Sequence, residues 1–231
     1  MTFDDLVERA ASLVRPGRRA LLGIAGGPGS GKSTLAERLV RRLDATGAFG
    51  VAHVPMDGFH LADAELDRLG RRDRKGAPDT FDAAGYAALL RRLREDEDAL
   101  VYAPGFERVL EQPLAGAVPV PRSARLIVTE GNYLLLRDRA WARAREQLDE
   151  VWFCELEDAE RVRRLVARHE EFGKDHDTAV AWVLGPDQRN AELIAATRDR
   201  ADLIVDTTAV GRSRAREGPW SRAEGESGVA R

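Results

Sequence analysis

Between Ala20 and Leu43 the chain passes from a short apolar run, through a glycine-rich segment, into a helical pattern. Ala20 to Ala25 suits a strand buried on both faces of a parallel sheet. Ser33 to Leu43 sets Leu35, Leu39, Val40 and Leu43 at helical spacing. The eight residues before and into that helix are Gly26-Gly27-Pro28-Gly29-Ser30-Gly31-Lys32-Ser33. They match G-x-x-x-x-G-K-[ST] at every fixed position, in the strand–loop–helix context that the motif requires. The spacing dictates the chemistry. Glycines let main-chain N–H groups turn inward and come close to phosphate oxygens. The helix that follows points its positive end at the anion. Lys32 reaches the terminal phosphates, and the Ser33 hydroxyl can ligate Mg²⁺. With Thr34, this stretch is the expected seat of a magnesium–nucleoside triphosphate.

The rest of the chain alternates strands and helices. Residues 3–14 carry Phe3, Leu6, Val7, Ala10 and Leu13 on one helical side, and Arg15-Pro16-Gly17 ends that helix. Val51 to Met56 reads as a strand ending at Asp57, and Phe81 to Leu93 as a helix. Ala99 to Tyr102 and Ala117 to Val120 read as short strands, Arg125 to Thr129 as a strand ending at Glu130, and Leu148 to Cys154 as another. Helices are expected over Ala159 to Glu171, Thr178 to Val183 and Asp187 to Ala196, with a last strand at Leu203 to Val205. This order predicts an α/β fold with a parallel sheet and helices on both faces. Leu61 to Pro78 is a long polar excursion, expected at the surface near the site. From Gly211 the apolar rhythm is lost apart from Trp220 and Val229, so residues 211–231 are expected to be a disordered tail. One domain is expected over residues 1–210.

Bulk properties narrow the function classes. A net charge of −3 gives no basic footprint for nucleic acid, and no apolar run approaches membrane-spanning length. The single cysteine, Cys154, excludes an internal disulfide. A cytoplasmic protein without nucleic-acid or membrane partners is expected. Its oligomeric state stays open, a homodimer being one candidate. Among the basic residues, lysine occurs only at positions 32, 75 and 174. Where arginine is the default, a lysine marks a place that a planar fork does not fill.

In a doubly wound sheet, ligands sit beyond the carboxyl ends of the strands, where Asp57 and Glu130 fall. Phosphoryl transfer to an alcohol needs a carboxylate to orient the hydroxyl or take its proton, and carboxylates to hold Mg²⁺. Asp57 suits the first role and Glu130 the second. The plain alternative is that each caps a loop or pairs with an arginine.

Three segments extend the pattern: Met56-Asp57-Gly58-Phe59-His60, Arg74-Lys75-Gly76-Ala77-Pro78-Asp79-Thr80-Phe81-Asp82 and Tyr102-Ala103-Pro104-Gly105-Phe106. Together with the loop they resemble the P-loop kinase group that holds uridine kinase, phosphoribulokinase and bacterial pantothenate kinase, in particular its nucleoside/nucleotide kinase branch. The match runs from about Leu21 to Asp206. The resemblance implies a three-layer P-loop NTPase fold with a small arginine-rich lid at about residues 157–184, and an ATP-dependent kinase using Mg²⁺. It implies that Asp57 is the base on the acceptor side and that Thr129-Glu130-Gly131 holds an active-site acid. By the same analogy His60, Lys75, Asp79, Tyr102, Phe106 and Arg108 would surround a small-molecule acceptor of nucleoside, pantothenate or sugar type.

Arg161, Arg164 and Arg168 fall at i, i+3 and i+7, on one face of their helix. Positioned arginines stabilise the charge spread over a moving phosphoryl group. The related kinases carry lid arginines at this point in the chain, which implies catalytic roles for Arg164 and Arg168, with Lys174 near the lid's far end. A solvated helix paired with Glu157, Glu160 and Glu171 is the plain alternative. Asp187-Gln188-Arg189-Asn190-Ala191, followed by Thr197-Arg198-Asp199-Arg200-Ala201-Asp202, resembles the segment flanking adenine in the pantothenate-kinase-like members, which implies a nucleotide contact for Asn190. Here the chain departs from the family, with Gln188-Arg189 where a proline usually precedes the asparagine. A hydrolysing NTP switch is the alternative function. It needs a water-positioning residue and partner-facing segments instead of the pocket-like run from Gly58 to Phe106.

Overall fold

The computed structural model describes residues 1–208, and the stretch expected to be a disordered tail lies outside them. The chain opens with helix α1 (Phe3–Ser12), capped by Thr2, whose hydroxyl accepts from the Asp5 N–H while the Asp5 carboxylate accepts from the Thr2 N–H. Strand β1 (Ala20–Ala25) follows, then helix α2 (Lys32–Asp44) and strand β2 (Gly50–Pro55). After a 3₁₀ turn at Met56–Phe59 come helix α3 (Asp63–Leu69), helix α4 (Ala83–Glu95), and strands β3 (Leu100–Glu107), β4 (Gln112–Pro121) and β5 (Ala124–Glu130). Helix α5 (Arg139–Arg145), strand β6 (Glu150–Glu155), helix α6 (Asp158–Glu171) and helix α7 (His176–Trp182) lead through a π-turn at Val183–Asp187. Helix α8 (Gln188–Ala195) and strand β7 (Leu203–Asp206) complete the order.

Five strands form one parallel sheet in the order β2-β5-β1-β6-β7. In the central strand β1, period-two alternation sends side chains to opposite layers. Leu21 and Ala25 join Tyr86, Leu90 and Leu93 of α4, with Tyr133 and Trp141, on one face. Leu22 and Ile24 join Leu6 and Val7 of α1 and Leu35, Leu39 and Leu43 of α2 on the other. This is the three-layer P-loop NTPase arrangement expected from the sequence. Its register sets Ile24 of β1 and Pro55 of β2 level with Glu130 of β5, so the β1 loop, Asp57 and Glu130 emerge at one edge.

One expectation changes. The short strands near residues 99–102 and 117–120 are parts of a longer antiparallel hairpin, β3–β4, which does not join the main sheet. Pro104, Pro113, Pro119 and Pro121 cannot donate to a ladder, which suits a two-stranded ribbon and not a central strand. The polar excursion at 61–78, expected only as a surface excursion near the site, is ordered as α3 followed by 3₁₀ turns at Arg72–Arg74 and Pro78–Thr80. Helix α5 was not foreseen; its arginines mask the apolar spacing of Trp141 and Ala144. Among the described residues no helix is long and apolar enough to cross a membrane.

Candidate active site

The loop between β1 and α2 is shaped by close approach. Gly26 has φ +147, and a Cβ there would sit 2.6 Å from Ser30 Oγ and 2.8 Å from the Cys154 carbonyl oxygen. Helix α2 starts at Lys32 with no side-chain cap, so its first N–H groups face the loop's mouth. Ser30 Oγ is buried without a hydrogen-bond partner. Lys32 Nζ donates to the Gly27 carbonyl at 2.9 Å. Burial pulls the Lys32 pKa down, while Glu130, Cys154 and Asp57 pull it up. Thr207, just beyond β7, braces the loop by donating from its hydroxyl to the Ser30 carbonyl at 2.7 Å.

A cleft of about 380 Å³ opens beside the loop, and its walls include Pro28, Gly29, Lys32, Ser33, Asp57 and Glu130. Burial alone would raise the Asp57 pKa, but the surrounding charges of His60, Arg108, Lys32 and Arg168 outweigh it and hold this carboxyl below its ordinary range. Glu130 goes the other way. Burial first, then the Asp57 charge, push it up to about 7, against Lys32, Arg108 and a hydrogen bond from Ser33. The two carboxyl groups are thus driven apart, Asp57 downward and Glu130 up to about 7.

His60 lies between the rings of Phe81 (4.0 Å) and Phe106 (4.8 Å), and its Nδ1–H donates to the Asp57 carbonyl at 2.8 Å. Burial lowers its pKa although Asp57 opposes that. Arg108, at the start of the β3–β4 turn, comes within 3.9 Å of the Asp57 carboxylate. Lys75 donates to Asp63 at 2.7 Å and to the Glu111 carbonyl, and lies 5.8 Å from the Phe106 ring centre. Arg168 and His169 of α6, with Lys174, Trp182 and Asp187, also line the cleft. Burial and then Arg108 lower the Arg168 pKa, while Asp187, Asp57 and Glu130 oppose.

Of the expected residues, Pro28, Gly29, Lys32, Ser33, Asp57, His60, Lys75, Phe106, Arg108, Glu130, Arg168, Lys174 and Asn190 therefore line one cleft. Others do not. Tyr102 is 58% exposed on the hairpin. Asp79 is turned outward to Arg71 and Arg74. Arg164 folds back on Glu160 at 2.6 Å, because a glutamate one helical turn earlier is its nearest partner. Arg161 reaches the loop instead, 3.4 Å from the Pro28 carbonyl. Asn190 borders the main cleft, 3.4 Å from the Gly76 carbonyl, and not the second hollow behind the loop. That hollow, about 290 Å³, is lined by Gly27, Cys154, Arg161, Gln188, Ala191 and Arg198 among others. Thr34 lies in the first turn of α2 and outside both.

Sequence reading missed Arg161, His169 with its Asp187 partner at 3.0 Å, Gln188 and Thr207. Arg161 carried a signal as the first arginine of its stripe, and Asp187 and Gln188 through the segment that resembles the adenine-flanking one; His169 and Thr207 carried none. A nucleoside triphosphate fits the uncapped helix start, the partnerless Ser30 hydroxyl and the Gly26 cradle. Mg²⁺ fits Ser33 with Glu130, since this ion keeps several waters and phosphate oxygens and asks little of the protein. Among the described residues no cluster of three or more His, Cys, Asp or Glu forms a dedicated metal cage.

No protein-family model matches the chain. It is 36% identical over 173 residues to the Schizosaccharomyces pombe protein called "Putative uridine kinase C227.14", covering 73% of this chain and 74% of that one. It is 33% identical over 206 residues to the Escherichia coli "Uncharacterized protein YggC", covering 88% and 84%. Among solved structures, the "putative fructose transport system kinase" from Silicibacter sp. TM1040 superposes with a TM-score of 0.81 at 38% identity, over 89% of this chain and 99% of that one.

Proposed function

The chain belongs to the P-loop kinases related to uridine kinase and pantothenate kinase, and from that premise we propose that it transfers the γ-phosphoryl group of ATP to a hydroxyl of a small metabolite. The observation that carries this reading is the shared cleft of Lys32, Asp57 and Arg168. A triphosphate gripped by the amides at Gly29–Lys32 would present its γ-phosphorus toward that cleft. The acceptor hydroxyl lies against Asp57, which is ionised and so can accept a hydrogen bond from it. The new O–P bond forms as the bond to the β-phosphate oxygen breaks, the proton passes to Asp57, and ADP leaves. Lys32 and Arg168 offset the charge on the moving oxygens. Ser33 and Glu130 would hold Mg²⁺, which would supply neutralisation of the charge that develops on the phosphates. Closure of the segment around α6 and α7 excludes water, which otherwise competes with the alcohol. The second hollow, beside Gly27 and Arg161, is the place for the base.

The acceptor type follows the family in outline only: a nucleoside, pantothenate or sugar each offers a hydroxyl. A screen of ADP release over these three classes tests the reading. One preferred acceptor is expected. In Asp57→Asn its turnover should fall by about 10²–10⁴, the range of a positioned general base, while MgATP binding is retained. ADP release that ignores every acceptor would instead favour a hydrolysing switch. Full turnover in Asp57→Asn would remove Asp57 from the mechanism.

A further inference from the structure

The part of the cleft lined from the 72–75 turn, the hairpin turn and the segment after α6 carries more positive charge than its own carboxylates use. Arg72, Lys75, Arg108 and Lys174 line the cleft with Glu111, and Asp63 pairs with the first two from outside its lining. The pairing is uneven. Arg72 and Lys75 are both tied to Asp63, at 2.6 and 2.7 Å. Arg108 reaches only Asp57, at 3.9 Å, and Lys174 reaches only Glu111, at 3.8 Å. Among the described residues neither of these two side chains makes a hydrogen bond closer than those contacts.

Their origin separates them from the triphosphate grip. Arg108 comes from the hairpin turn and Lys174 from the far end of the lid segment, whereas Lys32 and Arg168 already serve the phosphates. Lys174 is only 24% exposed and stands 5.7 Å from the Trp182 ring centre. A partly desolvated cation without a close partner is costly, and more so once a lid excludes water. A neutral acceptor would leave that cost in place. An acceptor bearing its own anion would remove it through charge-assisted hydrogen bonds.

We propose that the acceptor is a small alcohol carrying its own carboxylate or phosphate, and that Arg108 and Lys174 grip this anion while the hydroxyl lies at Asp57. The proposal rests on the kinase reading and narrows it against neutral nucleosides. Selection works in both directions. The anion fills the cationic wall, and a neutral competitor leaves the partly buried Lys174 without a close anion and gives the half-exposed Arg108 nothing in place of its water.

Trp182 stands beside Lys174 and supplies a readout that does not require turnover. Full-length protein saturated with a non-hydrolysable MgATP analogue is titrated with pantothenate, ribose 5-phosphate, ribose and uridine, and tryptophan emission is followed. Trp182→Phe identifies the reporting ring. Saturable binding is expected for pantothenate or for ribose 5-phosphate, which distinguishes a carboxylate from a phosphate, and at least about tenfold weaker binding for ribose and uridine. Arg108→Gln and Lys174→Gln should each raise the half-saturating concentration of the anion about tenfold, the scale of one charge-assisted hydrogen bond. Arg108→Lys should recover part of the loss, and Val109→Ala, at the exposed hairpin tip, should change nothing. Uridine binding as tightly as either anion, neither anion saturating, or a half-saturation in both glutamine variants within twofold of wild type would overturn the proposal. Failure of the MgATP analogue itself to bind would instead sink the kinase reading.

Discussion

Glu130 is the residue whose environment speaks most directly to pH. Its folded pKa, about 7, lies above the ordinary 4.5. A raised carboxyl pKa favours the folded state at low pH, and that advantage is lost as pH rises through the folded value. Relative to Glu130→Gln, the unliganded wild type should therefore lose stability between about pH 5 and pH 8, by up to ~3 kcal/mol. Denaturant titrations of both proteins across this range check the sign. On the proposal that Glu130 holds Mg²⁺, which would need its ionised form, MgATP affinity should strengthen over the same interval and flatten in the variant. Gly26 belongs at this scale too. An alanine there would meet Ser30 Oγ and the Cys154 carbonyl inside 3 Å in a backbone region that L-residues avoid. Gly26→Ala should weaken MgATP binding at least about tenfold, a displacement cost of roughly 1–3 kcal/mol, measurable by calorimetry.

Two joints between elements position the cleft. Arg19, at the foot of β1, is 1% exposed. It donates to the carbonyls of Ala124, Leu93 and Pro121 at 2.8 to 3.1 Å and pairs with Asp96 at 2.8 Å. One side chain thereby ties the ends of α4 and β4 and the start of β5 to the central strand. Arg19→Met should cost on the order of 1–3 kcal/mol in chemical denaturation, because it takes the donor from the buried carbonyl contacts at Ala124 and Leu93, while Asp96 keeps Arg125 at 2.5 Å. The second joint is Gly58, where a Cβ would fall 2.4 Å from the Pro104 carbonyl oxygen. This contact holds the hairpin against the turn that carries Asp57, and so sets Arg108 near that carboxylate.

Across the whole molecule, binding and stability are linked. MgATP at a hundred times its Kd should stabilise the protein by about 2.7 kcal/mol, or roughly 5–10 °C in Tm for a chain of this size. Thermal scans should show that shift in wild type and little of it in Lys32→Ala, which removes the ammonium aimed across the loop. The sheet contributes the rigid half of the site, since the loop, Asp57 and Glu130 all stand at strand ends in fixed register. The hairpin and the α6–α7 segment contribute the other half, through single contacts such as His169–Asp187 at 3.0 Å.

The phosphate loop, the parallel sheet and the two acidic strand ends were legible from residue order alone. Each depends on local rules: glycine spacing, a two-residue strand period, and the position of a residue where an apolar run stops. The facing of Arg164 was not, because whether an arginine turns to a ligand or to Glu160 depends on which partner lies closer in space. Nor was the place of Asn190 beside Gly76, 114 positions away in the chain, or the folding of β3–β4 as a separate ribbon. Spacing along one helix or strand says which side a residue occupies. Only the packing of that element against others decides what the side meets, and here that packing turned Tyr102 and Asp79 outward and brought Arg108 and Lys174 to one wall.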